Sequence, residues 1–355
     1  MKTVKYLLIG LIPFQWFVLD RLKKHPEWID RFYSLNSYPK IFDAHRFFFN
    51  KLPFSFGDVL YLLVALLLLI GMRRGIQKKY TFNLRKWGGD ALALLSLLSL
   101  LFHLTWGLNY YRSPLSESLN YNSTYTEEEL SKTLERLVET SNQLHTSLSQ
   151  SDTIAVQIPY SYEEITQQIE KDFSFDLLEN NIKPFVKNSL WSTLLSYMGY
   201  AGYLNPFTLE SQVNKRLPKH SYITTSAHEM AHQLGFASES EANFIAFYTS
   251  IKNSDPFIQF SGTSFALRYC YGELYKANPN RARKIIAQLH TGILKNFQQL
   301  SNFWKTYQNP FEPYLKKGYD YYLKANGQKK GILSYNDMVS LVIAYYKKKD
   351  STTNK

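Results

Sequence analysis

The sequence predicts a mainly α-helical protein: N-terminal transmembrane helices, then an α+β domain with a small sheet and one helix bearing a His-Glu-x-x-His segment. Three observations predict it. Leucine-rich apolar runs crowd the first third of the chain. Polar, tyrosine-rich segments with helix-capping signals fill most of the remainder. The segment His228-Glu229-Met230-Ala231-His232 stands among them.

The first apolar run, residues 4–19, precedes Arg21, Lys23 and Lys24. No small-residue cleavage site follows it, so it reads as an uncleaved anchor rather than a signal peptide. The second run covers about residues 56–72 and the third about 90–108. Each approaches the length a helix needs to cross about 30 Å of hydrocarbon. Between the second and third, Arg73, Arg74, Lys78, Lys79, Arg85 and Lys86 form a compact cationic cluster that is expected to stay cytoplasmic. The N-terminus then lies inside, and the chain beyond the third run lies outside the cytoplasmic membrane. The expected division is a three-span membrane anchor over residues 1–110 and an extracytoplasmic domain over residues 111–355.

In that second part, Thr126 followed by Glu129 reads as a capping box. Leu130, Leu134, Leu137, Val138, Leu144 and Leu148 then recur on one helical face. Ser161 with Glu164 starts another helix in the same way. Over residues 189–214, Gly199, Gly202 and Pro206 sit between aromatic and β-branched residues, which favours short strands and a turn. Residues 203–214 are the candidate edge strand of a cleft. Helices resume around His228 and continue with breaks at Asn278-Pro279, Gly318 and Gly327.

Composition limits the alternatives. With 45% hydrophobic and 16% aromatic residues, the 355-residue chain buries ample apolar surface and is not disordered. Its net charge of +12 is spread over membrane flanks and surface, with no basic stripe carrying interleaved aromatics, so no nucleic-acid partner is expected. Cys270 is the single cysteine, which rules out an internal disulfide and a multi-cysteine metal site. It reads as a small core residue.

The His228–His232 spacing has a geometric reason. Residues four apart lie on one face of a helix, one turn above the other, so two imidazoles can reach one metal ion. Glu229 beside them can accept a proton from a metal-activated water without being a ligand. Thr224, Thr225 or Ser226 can cap the start of this helix, and Gly235 can end it in a left-handed conformation. A chain that turns there can bring Glu239 or Glu241 back as a third ligand. The metal expected of a His-His-Glu set with an open position is zinc. His220, Tyr222, Tyr248, Arg268 and Tyr269 are candidates for oxyanion stabilisation. The other histidines, His25, His45, His103, His145 and His290, lack partners at ligand spacing and read as structural.

HEMAHQ followed by ESEAN resembles the gluzincin branch of zincin-like metallopeptidases, in which a Glu in an E-x-x-A-D or E-x-x-A-N pattern is the third ligand. That resemblance implies His228, His232 and Glu239 as Zn2+ ligands, Glu229 as catalytic base, and Asn243 as the residue orienting a ligating histidine. Glu241 is the rival ligand. HPEWIDRFYS, LPFSFGDVLYLL, TWGLNYYRSPL and GYLNPFTLESQVN, together with the motif region, resemble an uncharacterised family of bacterial three-span membrane proteins with a zincin-like outer domain. The expected activity is zinc-dependent hydrolysis of peptides or proteins at the outer face of the inner membrane. The alternative is a non-catalytic zinc-binding scaffold or sensor, for which a carboxylate at Glu229 has no use.

Overall fold

The computed structural model describes residues 2–76, 84–178, 181–328 and 337–353. The chain forms two compact units: Met1–Ser113 with Asn205–Glu210, and Pro114–Leu204 with Ser211–Lys355. The short Asn205–Glu210 segment groups with the N-terminal unit.

The first unit contains helices α1 (Lys2–Leu22), α2 (Pro26–Trp28), α3 (Tyr38–Phe49), α4 (Phe56–Ile76) and α5 (Leu84–Thr105). Thr3–Leu22, Phe56–Arg73 and Trp87–Thr105 are each long and apolar enough to cross a membrane. Their side chains are mostly uncovered by protein; Leu67, Leu68 and Leu69 are 68%, 63% and 59% exposed. Such surfaces on consecutive turns suit lipid rather than water. The chain is a membrane protein on this ground. Lys78 and Lys79 of the cationic cluster lie outside the described residues, as do the side chains of Arg74, Arg85 and Lys86.

Polar groups bind α1 to α5. Gln15 Nε2 donates to the Ser96 carbonyl at 3.1 Å and to its Oγ at 3.0 Å, and Ser96 Oγ donates to Leu8 O at 2.6 Å. In an apolar surround such bonds hold helices together where hydrophobicity offers no preference. Glu210 accepts from the backbone N–H groups of Phe56 and Gly57, at 3.1 and 2.6 Å, and so caps the start of α4.

The stretch between the first two spans is largely helical. A π-helical turn, Ile29–Ser37, joins α2 to α3. Ile29, Tyr33, Tyr38 and Phe42 are buried along it. The five-residue step from Tyr33 to Tyr38 exceeds the α-helical repeat, and the wider π turn keeps both rings on the buried side.

The second unit is helical around a small sheet. After α6 (Leu115–Ser118), Thr126 and Glu129 form the capping box that opens α7 (Glu127–Leu148). Leu130, Leu134, Leu137 and Val138 are buried as expected. Leu144 and Leu148 are only half-buried, because Ser141 and His145 occupy the inward positions of the last turns. Ser161 and Glu164 cap α8 (Tyr162–Asp172) in the same way.

The sheet has the order β1-β3-β2, with β1 (Val186–Asn188) parallel and β2 (Gly202–Leu204) antiparallel to β3 (Ser211–Val213). Between β1 and β2 the chain forms α9 (Ser192–Met198), a helix that the glycine-rich reading did not anticipate; Gly199 ends it at φ 75°. β3 is buried and central, so among the described residues only the β2 part of the 203–214 segment lies at an edge of the sheet.

Next come α10 (Lys219–Gln233), α11 (Glu239–Lys252) and α12 (Pro256–Ala277), then α13 (Pro279–Ile286), α14 (Thr291–Tyr307), α15 (Glu312–Ala325) and α16 (Met338–Thr353). The core gathers Val213, Leu217, Tyr222, Ile223 and Met230 with Ile165 and Ile169 of α8. α11 is buried on every side from Glu239 to Ser250. A helix covered all round has no solvent face to display amphipathic periodicity. Asn278 caps α13 with Pro279 in its first turn. Gly327 adopts φ 93° just beyond α15, whereas Gly318 lies inside that helix rather than breaking it.

Candidate metal centre

α10 presents the His-Glu-x-x-His segment. It starts earlier than expected. Pro218 is its N-cap, and Ser221 and Tyr222 donate back to the Pro218 carbonyl at 2.9 Å. Thr224, Thr225 and Ser226 therefore lie within the helix and do not cap it. Pro218 sets the entry angle, and packing of Tyr222 and Ile223 overrides the weak helix propensity of the Thr-Thr-Ser run. The end is as predicted: Gly235 takes φ 82°, and α11 begins four residues later at Glu239.

The turn brings three donors together. His228 Nε2 and His232 Nε2 are 3.1 Å apart. Glu239 Oε2 lies 3.1 Å from the first and 3.7 Å from the second. Ligands at about 2.0–2.1 Å around a tetrahedral ion are separated by about 3.3 Å, so these spacings fit one metal. Each imidazole has its other nitrogen engaged. His228 Nδ1–H donates to Asn243 Oδ1 at 2.8 Å, and His232 Nδ1–H donates to the Phe236 carbonyl at 2.7 Å. Both Nε2 lone pairs are thereby aimed at the shared point, as in histidines oriented by outer partners.

Glu239 Oε2 is buried with no hydrogen-bond donor, while its Oε1 accepts from Tyr319 OH at 2.7 Å. A buried, undonated carboxylate oxygen facing two inward lone pairs is a poor arrangement without a cation and a good one with it. The donor set therefore fits a divalent metal of imidazole-favouring type.

Electrostatics agree. Burial opposes ionisation of Glu239, yet the adjacent His228 and His232 imidazoles outweigh it and hold the carboxyl well below its usual range. Glu229, also buried, is pushed up to about 7 by loss of water, with the two histidines pulling the other way. Its Oε2 has no hydrogen-bond partner among the described residues. The carboxyl is thus poised near neutrality beside the cluster without belonging to it.

Of the remaining expected residues, Glu241 turns to accept the Leu115 N–H at 2.6 Å and is not in the cluster. One helical position decides this: Glu239 opens α11 on the side facing α10, and Glu241, two residues on, points elsewhere. Asn243 stands where expected, against His228. Tyr222 bonds Asn188 and Thr166, and Tyr248 bonds Asp176 at 2.5 Å, so neither hydroxyl is aimed at the cluster. Tyr269 meets Asn243 Nδ2 at 3.4 Å. His220 is half-buried, its Nε2 is enclosed with no hydrogen-bond partner among the described residues, and its pKa is lowered to about 4, by desolvation first and by the Arg268 charge second.

Two contributors had no sequence signal. Tyr319 comes from α15, 80 residues beyond Glu239. Gly202 of β2 lies against Glu229: a Cβ there would meet Glu229 Cγ and Oε1 at 2.9 Å and the Gln212 carbonyl at 2.7 Å. β2 and the Glu229 carboxyl are therefore neighbours. Ser211 Oγ donates to Glu229 O at 2.7 Å and fastens α10 to β3.

Fold and site together define a mainly helical membrane protein with a buried His-His-Glu cluster beside a short edge strand. The chain belongs to the family described as "Protein of unknown function (DUF3810)", which matches residues 33–343. No curated protein and no solved structure matches it.

Proposed function

We propose that this protein is a membrane-anchored metallopeptidase of gluzincin type, which hydrolyses peptides or proteins at the outer face of the cytoplasmic membrane. The observation that carries the reading is the separation of roles at one site. His228, His232 and Glu239 converge on one point, while Glu229 stays apart with a carboxyl poised near neutrality. A purely structural ion has no need of the second feature.

His228, His232 and Glu239 would hold the ion, and Asn243, Phe236 O and Tyr319 would keep those ligands aimed. Zinc bound there supplies Lewis acidity toward a carbonyl and acidifies a water. Glu229 Oε2 accepts the proton of the attacking water and returns it to the leaving amine. β2, at one edge of the sheet, runs beside Glu229 and is the element we assign to alignment of an extended substrate backbone. Outward placement of this domain follows from the cation balance around the spans.

The decisive experiment is Glu229→Gln in the full-length chain, with metal content and cleavage of a peptide library measured together. The variant is expected to keep its metal and lose about 10²–10⁴-fold in cleavage rate. Equal cleavage by both forms would refute the mechanism.

A further inference from the structure

A second group of metal-binding side chains stands apart from this centre. His145 lies in the last turn of α7, Asp152 in the loop after it, and His290 just before α14. One donor atom from each lies within 4.8 Å of the other two. His145 Nδ1 and His290 Nδ1 are 3.2 Å apart, and His290 Nδ1 is 3.3 Å from Asp152 Oδ1. These spacings match the edge of a tetrahedral coordination shell, about 3.3 Å.

The site is built rather than incidental. His145 is fully buried, and its Nε2–H donates to the Ile154 carbonyl at 2.8 Å. That bond fixes the tautomer and leaves the Nδ1 lone pair directed at His290. Asn142 holds the opposite wall: its Nδ2 donates to Gln288 O and its Oδ1 accepts the His290 N–H, both at 2.9 Å. The loop is tied down by Gly292, whose N–H donates to Asp152 O at 2.8 Å. Gly292 also permits the close approach, since a Cβ there would fall 2.4 Å from His145 Nε2 and 2.3 Å from Ile154 O.

We propose that His145, Asp152 and His290 form a second divalent-metal site, of the imidazole-rich kind that takes Zn2+, Co2+, Ni2+ or Cu2+. Asp152 is 65% exposed and His290 21%, so water completes the shell. The ion staples the end of α7 to the start of α14. This inference does not depend on peptidase activity.

The test is metal uptake by the full-length chain in detergent, stripped with chelator and titrated with Co2+ while its visible spectrum is followed. Wild type is expected to bind two equivalents. A His228→Gln/His232→Gln variant should retain one. In that background His290→Gln should abolish binding, and Asp152→Asn, an exposed change that leaves folding intact, should weaken it about tenfold. Binding of a single equivalent by wild type, lost on His228→Gln/His232→Gln and untouched by Asp152→Asn, would show that His145 and His290 are merely a hydrogen-bonded pair. Absence of cleavage alongside two bound equivalents would sink the peptidase reading and leave this one standing.

Discussion

The His228–His232–Glu239 and His145–Asp152–His290 clusters share one device and differ in setting. In both, a histidine is oriented by giving one ring N–H to a neighbouring oxygen: Asn243 and Phe236 O in the first, Ile154 O in the second. The first draws its donors from adjacent helices within a dozen residues and buries all of them. The second draws them from positions 145 residues apart and leaves its carboxylate in solvent. The difference teaches what burial adds. A carboxylate removed from water depends on its cation and stays ionised only through it, whereas an exposed one is already solvated and contributes little by being paired.

That contrast can be broken by matched substitutions. Glu239→Gln removes a buried charge partner, a change that costs about 3–5 kcal/mol, and should weaken metal binding at the first cluster by about 10²–10⁴-fold in an equilibrium titration. The corresponding Asp152→Asn change should stay near tenfold. Equal effects would mean that the two sites are energetically alike despite their exposure.

Gly202→Ala probes whether the first cluster also depends on its edge strand. The added Cβ collides with Glu229 and with the Gln212 carbonyl. On the proposed mechanism cleavage should fall by about 10²-fold with metal content unchanged, because displacing a catalytic group by about an ångström has that effect. Parallel loss of metal would instead indicate disruption of α10.

His220 sharpens the comparison as a half-buried imidazole whose enclosed Nε2 has no hydrogen-bond partner among the described residues. Its pKa falls from 6.5 to about 4, so the unfolded chain binds the extra proton first. Stability linked to this group is complete above about pH 6.5 and declines as pH drops toward 4. Between pH 6.5 and 5 the loss should be about 2 kcal/mol in chemical denaturation. His220→Gln should flatten that limb; an unchanged slope would mean that His220 accepts a proton without penalty.

The candidate site was legible where its parts are close in sequence. His228 and His232 share a helical face because of the 3.6-residue repeat, and Gly235 returns the chain because it tolerates a positive φ. Glu239 and Asn243 lie one turn apart on the next helix for the same reason. The cap of α10 was misplaced because Pro218 acts through its fixed backbone angle rather than through a capping side chain. The π turn and α9 were missed because tertiary burial of Tyr33, Tyr38 and Leu195 outweighs local propensity.

By itself, the sequence determined the apolar spans, the helix-capping boxes and the paired imidazoles, since each depends on residues within about one or two helical turns. Only the tertiary structure set Glu239 rather than Glu241 beside the two histidines, put Gly202 against Glu229, brought Tyr319 to the carboxylate and joined His145 to His290. Those pairings follow from how helices and strands pack across long stretches of chain, and packing direction leaves no periodic trace in the order of residues.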